Sequence, residues 1–233
     1  MIPGVTEHPP TELGTKDGLA YALFAADGGA PGGAVILHGA GSSKENHFDF
    51  ARLLQAAGIA AVAYDQRGHG ASDGPLGAGV LDDVATIAGL LPPGPVALRG
   101  SSMGGFVALH AGARMDTAGV VAICPATGAM LAHGLEEREF EFRVDEDALR
   151  AVLLSVDERA VAAALGERLL LLHAEGDERV PIASSRDLHA AAPGSELVAV
   201  PGGDHRSVQH DPELQAVAAQ FIARALRRPA AAS

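Results

Sequence analysis

The stretch Val96-Ala97-Leu98-Arg99-Gly100-Ser101-Ser102-Met103-Gly104-Gly105 decides how this chain is read. Its apolar start predicts a short buried strand, its glycines a sharp turn, and Met103–Arg114 a helix. Gly100-x-Ser102-x-Gly104 at that junction fits a nucleophile elbow, a turn that lifts a serine hydroxyl above the strand ends. The flanking glycines relieve crowding that a Cβ would cause. The Met103 N–H, at the helix start, can then face a developing oxyanion. Ser101 lacks a glycine two places before it, so Ser102 is in the better register. An ordinary Gly-rich connection would carry the same residues, so the weight of the pattern comes from its surroundings.

Outward from the elbow, short apolar runs alternate with helix-length segments. The runs are Ala34–Leu37, Ile59–Tyr64, Val96–Leu98, Val120–Ile123, Leu169–Leu172 and Leu197–Val200. Their continuity suits strands buried on both faces of a parallel sheet. Helices are expected at Asn46–Ala57, Leu81–Leu91, Met103–Arg114, Ile182–Ala192 and Pro212–Leu226, the last with Asp211 as N-cap and Pro212 at its first position. Asp17-Gly18 marks a hairpin, and Gly28–Gly33 a loop. The expectation is a doubly wound, mostly parallel α/β sheet over residues 1–125 and 167–233. Residues 126–166 contain no clear strand and are expected to form a small helical cap excursion. In it, Phe140, Phe142, Leu149, Val152, Leu153 and Val156 suggest one apolar helical face, with Glu137, Glu139 and Glu141 in water.

An acid and a base follow in order. Leu169–Leu172 runs into His173-Ala174-Glu175-Gly176-Asp177, and Leu197–Val200 into Pro201-Gly202-Gly203-Asp204-His205. Ser102, Asp177 and His205 would then sit at carboxyl ends of parallel strands, the usual edge for an active site in such sheets. His205 would take the Ser102 proton and Asp177 would fix its tautomer. A turn-capping Asp and an exposed loop His are the plain alternatives for each alone. Asp204 and Glu175 are rival acids, and Asp204, adjoining His205, would point away from the ring.

The loop His38-Gly39-Ala40-Gly41-Ser42-Ser43-Lys44 follows an earlier strand, with Asp65 at the end of the next. A dinucleotide fingerprint would need a third glycine where Lys44 stands, and Gly100–Gly105 lacks the Lys-Ser/Thr of a phosphate loop. Together with Asp65-Gln66-Arg67-Gly68-His69-Gly70-Ala71-Ser72 and the elbow, this loop resembles the α/β-hydrolase superfamily. The chain is most similar there to small bacterial carboxylesterases of the cinnamoyl/feruloyl esterase and monoacylglycerol-lipase kind. The resemblance spans Ala34 to the C-terminus.

It implies an order of nucleophile, acid and histidine that this chain follows. It also implies an oxyanion hole from the backbone N–H groups of Ala40 and Met103, with His38 bracing its loop and Arg67 and His69 in structural hydrogen bonds. A cap, with Phe140 and Phe142 as candidate substrate-binding residues, would cover the site. The activity implied is ester hydrolysis through an acyl-enzyme. Thioesters, lactones and amides are alternative substrates, and a noncatalytic binding protein on the same fold is the alternative class.

Composition bounds the partners. The 233 residues carry a formal charge of −12, from 29 acidic and 17 basic residues, which repels nucleic acid and anionic membranes. Aromatics are only 4% and Trp is absent, so stacking platforms for bases are poorly supplied. The 10 histidines show no metal-ligand spacing, and no metal or organic cofactor is expected. Cys124 is the single cysteine, so no intramolecular disulfide forms. The start Met1–Pro10 lacks a basic and apolar leader, and no apolar run is long enough to span a membrane. A cytoplasmic monomer or homodimer acting on a small-molecule ester is the expectation.

Overall fold

The computed structural model describes residues 8–27 and 32–228. The first seven residues, positions 28–31 of the expected glycine loop and the Ala-rich tail 229–233 lie outside them.

The chain opens with a hairpin, β1 (Glu12–Lys16) and β2 (Leu19–Phe24). Asp17 and Gly18 between them both have positive φ, the backbone a two-residue primed turn requires. Then come β3 (Gly33–Leu37), α1 (Phe48–Ala56), β4 (Ala60–Tyr64), α2 (Val80–Ala88), β5 (Val96–Ser101), α3 (Met103–Arg114) and β6 (Gly119–Ile123). Three helices follow, α4 (Gly128–Glu136), α5 (Glu146–Leu154) and α6 (Glu158–Leu165). The chain closes with β7 (Leu169–Ala174), α7 (Ala183–Ala191), β8 (Glu196–Val200), α8 (Ser207–His210) and α9 (Pro212–Leu226).

The strands form one sheet in the order β1-β2-β4-β3-β5-β6-β7-β8. β1 and β2 pair antiparallel with their neighbours, and every pairing from β4 to β8 is parallel. Alternate strand residues feed two apolar layers. Val35, Leu37, Val62, Leu98, Val120 and Leu171 meet α2 and α3, while Ile36, Ala61, Ala97, Val121 and Leu170 meet α1 and α9. Burial on both faces is why these strands read as continuous apolar runs rather than alternating ones.

Between β6 and β7 the helices divide. α6 packs against α3 and α7, with Ala162 and Leu165 in the core, and so supplies the crossover helix of the β6–β7 connection. α4 and α5 pack on each other. The loop between them is stitched to the segment after β4: Arg143 N–H donates to Gly68 O, Leu76 N–H to Arg143 O and Asp145 N–H to Leu76 O. A Cβ on Gly68 would lie 2.1 Å from Arg143 O, so only glycine permits that approach.

The expected helical face joining the two phenylalanines to α5 is not formed. Phe140 and Phe142 lie in the loop, and Val156 lies beyond the end of α5. α4 stops because Arg138 takes the left-handed conformation (φ 56°), with Glu139 N–H bonded to Gly134 O and Arg138 N–H to Leu135 O. That is a Schellman cap built without the glycine that normally announces it.

Candidate active site

β5 delivers Ser102 in a backbone conformation, φ 55° and ψ −119°, that non-glycine residues avoid. Its neighbours hold it there. Ser102 N–H donates to Ile123 O, and its carbonyl accepts from Gly105, Phe106 and Ala126 N–H groups. A Cβ on Gly100 would lie 2.0 Å from Gly104 O, and one on Gly104 2.5 Å from the Leu37 and His38 carbonyls. Both elbow glycines are therefore required by close backbone approach.

Asp177 and His205 come from the loops after β7 and β8, which are laced together. Glu175 N–H donates to Val200 O, and Gly176 N–H to Gly202 O. His205 Nδ1 lies 2.7 Å from Asp177 Oδ2, while Asp177 Oδ1 accepts from the Arg179 and Val180 N–H groups, each at 2.9 Å. Burial pushes the Asp177 carboxyl up, but the hydrogen bonds from Val180, His205 and Arg179 outweigh it and hold its pKa below the ordinary value. The rivals are engaged elsewhere. Asp204 Oδ1 accepts from Arg206 and Ser207 N–H, and Glu175 pairs with Arg186.

Ser102 and His205 line one open cleft of about 1000 Å³, together with Gly39–Ser42, Met130, Leu131 and Phe140. No hydrogen bond joins the serine hydroxyl to the imidazole, and such contacts commonly tighten only when substrate binds. A Cβ on Gly39 would lie 3.2 Å from Ser102 Cβ, so the Gly39–Ser42 loop passes directly over Ser102. The Ala40 and Met103 N–H groups have no acceptor among the described residues, whereas Gly41 N–H is bonded to His69.

The segment after β4 holds that loop. Buried Asp65 accepts from Lys44 N–H, Lys44 Nζ and Ala71 N–H. A Cβ on Gly70 would lie 2.2 Å from Asp65 Oδ2, so this carboxylate too depends on a glycine. Arg67 is turned away, with Nε on the Asp83 carboxylate.

His173 had no role assigned from sequence, yet it supports the acid. It is fully buried, accepts from Ser185 Oγ–H through Nδ1 and donates from Nε2 to Val180 O, the residue whose N–H bonds Asp177. Its partners, a carbonyl and a hydroxyl, leave no pattern in the sequence. Cys124, His173 and Asp177 place potential metal-ligand atoms within 4.8 Å of one another. Both His173 nitrogens and Asp177 Oδ2 are already hydrogen-bonded, and burial pushes the Cys124 thiol up to about 12, which opposes the thiolate a metal would need. The cluster suits a braced carboxylate better than an ion.

Phe140 and Phe142, with Leu76, Val80, Met103, Phe106, Leu131 and Leu149, line a small apolar cavity of about 10 Å³, and of the two phenylalanines Phe140 also lines the cleft. Phe140 and Leu131 stand between it and the cleft, since they line both. No helix among the described residues is long and apolar enough to cross a membrane.

Residues 30–142 match the family model described as serine aminopeptidase, S33. No curated protein matches significantly. Among solved structures, the chain is similar to Est1E from Butyrivibrio proteoclasticus with ferulic acid bound, at 19% identity and TM-score 0.73 over 93% of this chain and 100% of that one. The monoacylglycerol lipase of Paleococcus ferrophilus gives 21% and 0.67 over 93% and 98%. The α/β hydrolase GrgF from Penicillium sp. sh18 gives 20% and 0.73 over the same shares. The family model spans just under half of the chain, and likeness at these identities speaks for the fold, which is that of the α/β hydrolases.

Proposed function

We propose that this protein is a serine hydrolase that cleaves carboxylic esters of small or medium acyl groups through an acyl-enzyme. The observation that carries this is the 2.7 Å bond between His205 and Asp177, facing the same cleft as a serine held in an elbow. With Asp177 on Nδ1, the His205 Nε2 lone pair is free to take the Ser102 proton. Ser102 Oγ then attacks the ester carbonyl, and the Ala40 and Met103 N–H groups receive the oxyanion. The imidazolium returns the proton to the departing alcohol. Water, deprotonated by His205, releases the acid and restores Ser102.

In this account α4, α5 and the loop between them are the cap, and residues 1–125 and 167–233 together with α6 form the hydrolase core. Phe140 walls the acyl side of the cleft, and Phe142, which does not reach the cleft, backs it by stacking. The enzyme needs no metal or organic cofactor, and its acidic surface suits a cytoplasmic monomer or homodimer acting on small molecules rather than on nucleic acid or membranes.

The test pairs Ser102→Ala with a fluorophosphonate probe and p-nitrophenyl esters of graded acyl length. Wild type should label at Ser102 and turn over. Ser102→Ala and His205→Ala should each lose about 10⁴-fold or more in kcat. Turnover of a thioester, lactone or amide in preference to every ester would move the substrate class. A wild type that neither labels nor turns over would leave a binding protein.

A further inference from the structure

The Ala40 N–H belongs to a peptide plane whose other end is the Gly39 carbonyl, and a trans peptide points the two in opposite directions. His38 Nδ1 donates to that carbonyl at 2.8 Å, while His38 Nε2 accepts from Gln66 N–H at 2.9 Å. The next plane, Ala40–Gly41, ends in the Gly41 N–H, which donates to His69 Nε2 at 3.2 Å. His69 Nδ1 lies 3.1 Å from Arg67 O. A carbonyl can only accept, so Nδ1 carries the proton and Nε2 presents its lone pair. The Gly39 carbonyl also accepts from Ser42 N–H at 3.2 Å, whereas the His69 ring alone takes the Gly41 N–H, so the peptide planes on both sides of Ala40 are held. The two rings meet edge-to-face at 4.8 Å, and His69 packs on Phe142 at 4.2 Å, which stacks on Phe140.

We propose that His69 is a positioning residue for the oxyanion hole, holding the Ala40–Gly41 peptide unit so that the Ala40 N–H points at the reacting carbonyl. The proposal rests on the serine-hydrolase function above and extends it. It gives Asp65–Ser72 a part in the reaction through His69 and makes the cap residue Phe142 the packing that seats the His69 ring. Hydrogen-bond donors contribute most to catalysis when they are aimed before the charge develops. A loop free to rotate its Ala40 peptide would bind substrate nearly as well and stabilise the transition state less.

The experiment compares His69→Phe, which keeps the stacking on Phe142 and removes the acceptor, with His69→Gln, whose side-chain carbonyl can still accept from Gly41 N–H. kcat and KM are measured with p-nitrophenyl butyrate, per active site titrated by a phosphonate. His69→Phe should lose about 10- to 100-fold in kcat, with KM within about threefold. His69→Gln should recover to within about fivefold of wild type. Should His69→Phe not fold, His69→Leu removes the acceptor in its place. The proposal is overturned by an acceptor-free variant with wild-type kcat, by equal losses in that variant and His69→Gln, or by a loss confined to KM. Wild type inactive and unlabelled at Ser102 would instead refute the hydrolase function itself.

Discussion

Two regions meet at Ser102, and they are built by opposite means. On the sheet side, the segments 38–44 and 65–74 interlock through directional bonds: His38 with Gln66, Lys44 with Asp65 and Gly41 with His69. On the other side, α4 and α5 contact the core chiefly through apolar side chains such as Leu131, Leu149 and Leu153, and the loop between them adds Phe140 and Phe142 while its Arg143 is tied by hydrogen bonds to Gly68 and Leu76. Their charges, for example Arg150 with Glu136, lie outside in water. A satisfied buried polar network admits one geometry, whereas an apolar contact keeps much of its energy when side chains shift. Aiming N–H groups at an oxyanion needs the first kind of construction. Accepting acyl groups of different shape is served by the second. Substitutions on the polar side should therefore change rate steeply, and those on the apolar side should change preference mildly.

The steepest contrast concerns two neighbouring carboxylates. Asp177→Asn leaves Oδ1 to accept from Arg179 and Val180 but presents the wrong partner to His205 Nδ1. About 10³–10⁴ in kcat should be lost. Asp204→Asn touches only the turn that starts α8 and should cost less than about tenfold. Steady-state rates on one p-nitrophenyl ester rank the two. Equal losses would mean that the loop after β8 is as finely set as the acid itself.

A milder effect is expected on the apolar side. Phe140 separates the cleft from the small cavity lined by Met103, Phe106 and Leu149. Phe140→Ala should join the two and raise kcat/KM for longer acyl esters relative to acetate by about tenfold, the scale of one or two methylenes in an apolar pocket. Phe142 is left in place because it packs on His69. A ratio that does not move across the acyl series would remove the cap from substrate selection while leaving rate and probe labelling as they were.

This division also explains what could be read from sequence. Strands buried on both faces announce themselves as apolar runs, and Asp17-Gly18, Gly100-x-Ser102-x-Gly104 and Asp211-Pro212 each force a local backbone, so the sheet, elbow and last helix were legible. Asp177 and His205 could be named because they end strands that the pattern locates. The excursion was only partly legible. Arg138 ends α4 without a glycine, so Phe140 and Phe142 looked helical when they lie in a loop. The supports were less legible: His173 gave no signal, and the resemblance placed His69 in structural hydrogen bonds without naming its partners. His173 acts through Val180 O, and His69 through Gly41 N–H and Arg67 O, backbone atoms that every residue carries. Only the fold brings them within reach.

The smallest effect concerns a residue that breaks the pattern. His110 lies in α3, buried at 3% exposure, its ring 4.2 Å from that of Phe106, which lines the apolar cavity, and neither ring nitrogen has a hydrogen-bond partner among the described residues. Burial pushes its pKa down to about 4. An unfolded histidine titrates near 6.5, so between these values the unfolded chain binds a proton that the folded chain refuses. Stability therefore falls as pH drops from about 6.5 to 4 and is flat on either side, by on the order of 3 kcal/mol from this residue. His38, His69, His47 and His173 are shifted in the same direction by burial and add to the slope. They are hydrogen-bonded and cannot be removed without loss. His110→Leu deletes the two orphaned nitrogens at similar volume and should raise Tm by a few degrees at pH 7. The gain should widen at pH 5, with kcat unchanged at both. Melting curves of the two proteins at those pH values decide the matter. A gap that does not widen would show that His110 is solvated in the folded state, and the packing around Phe106 would then be less apolar than the comparison requires.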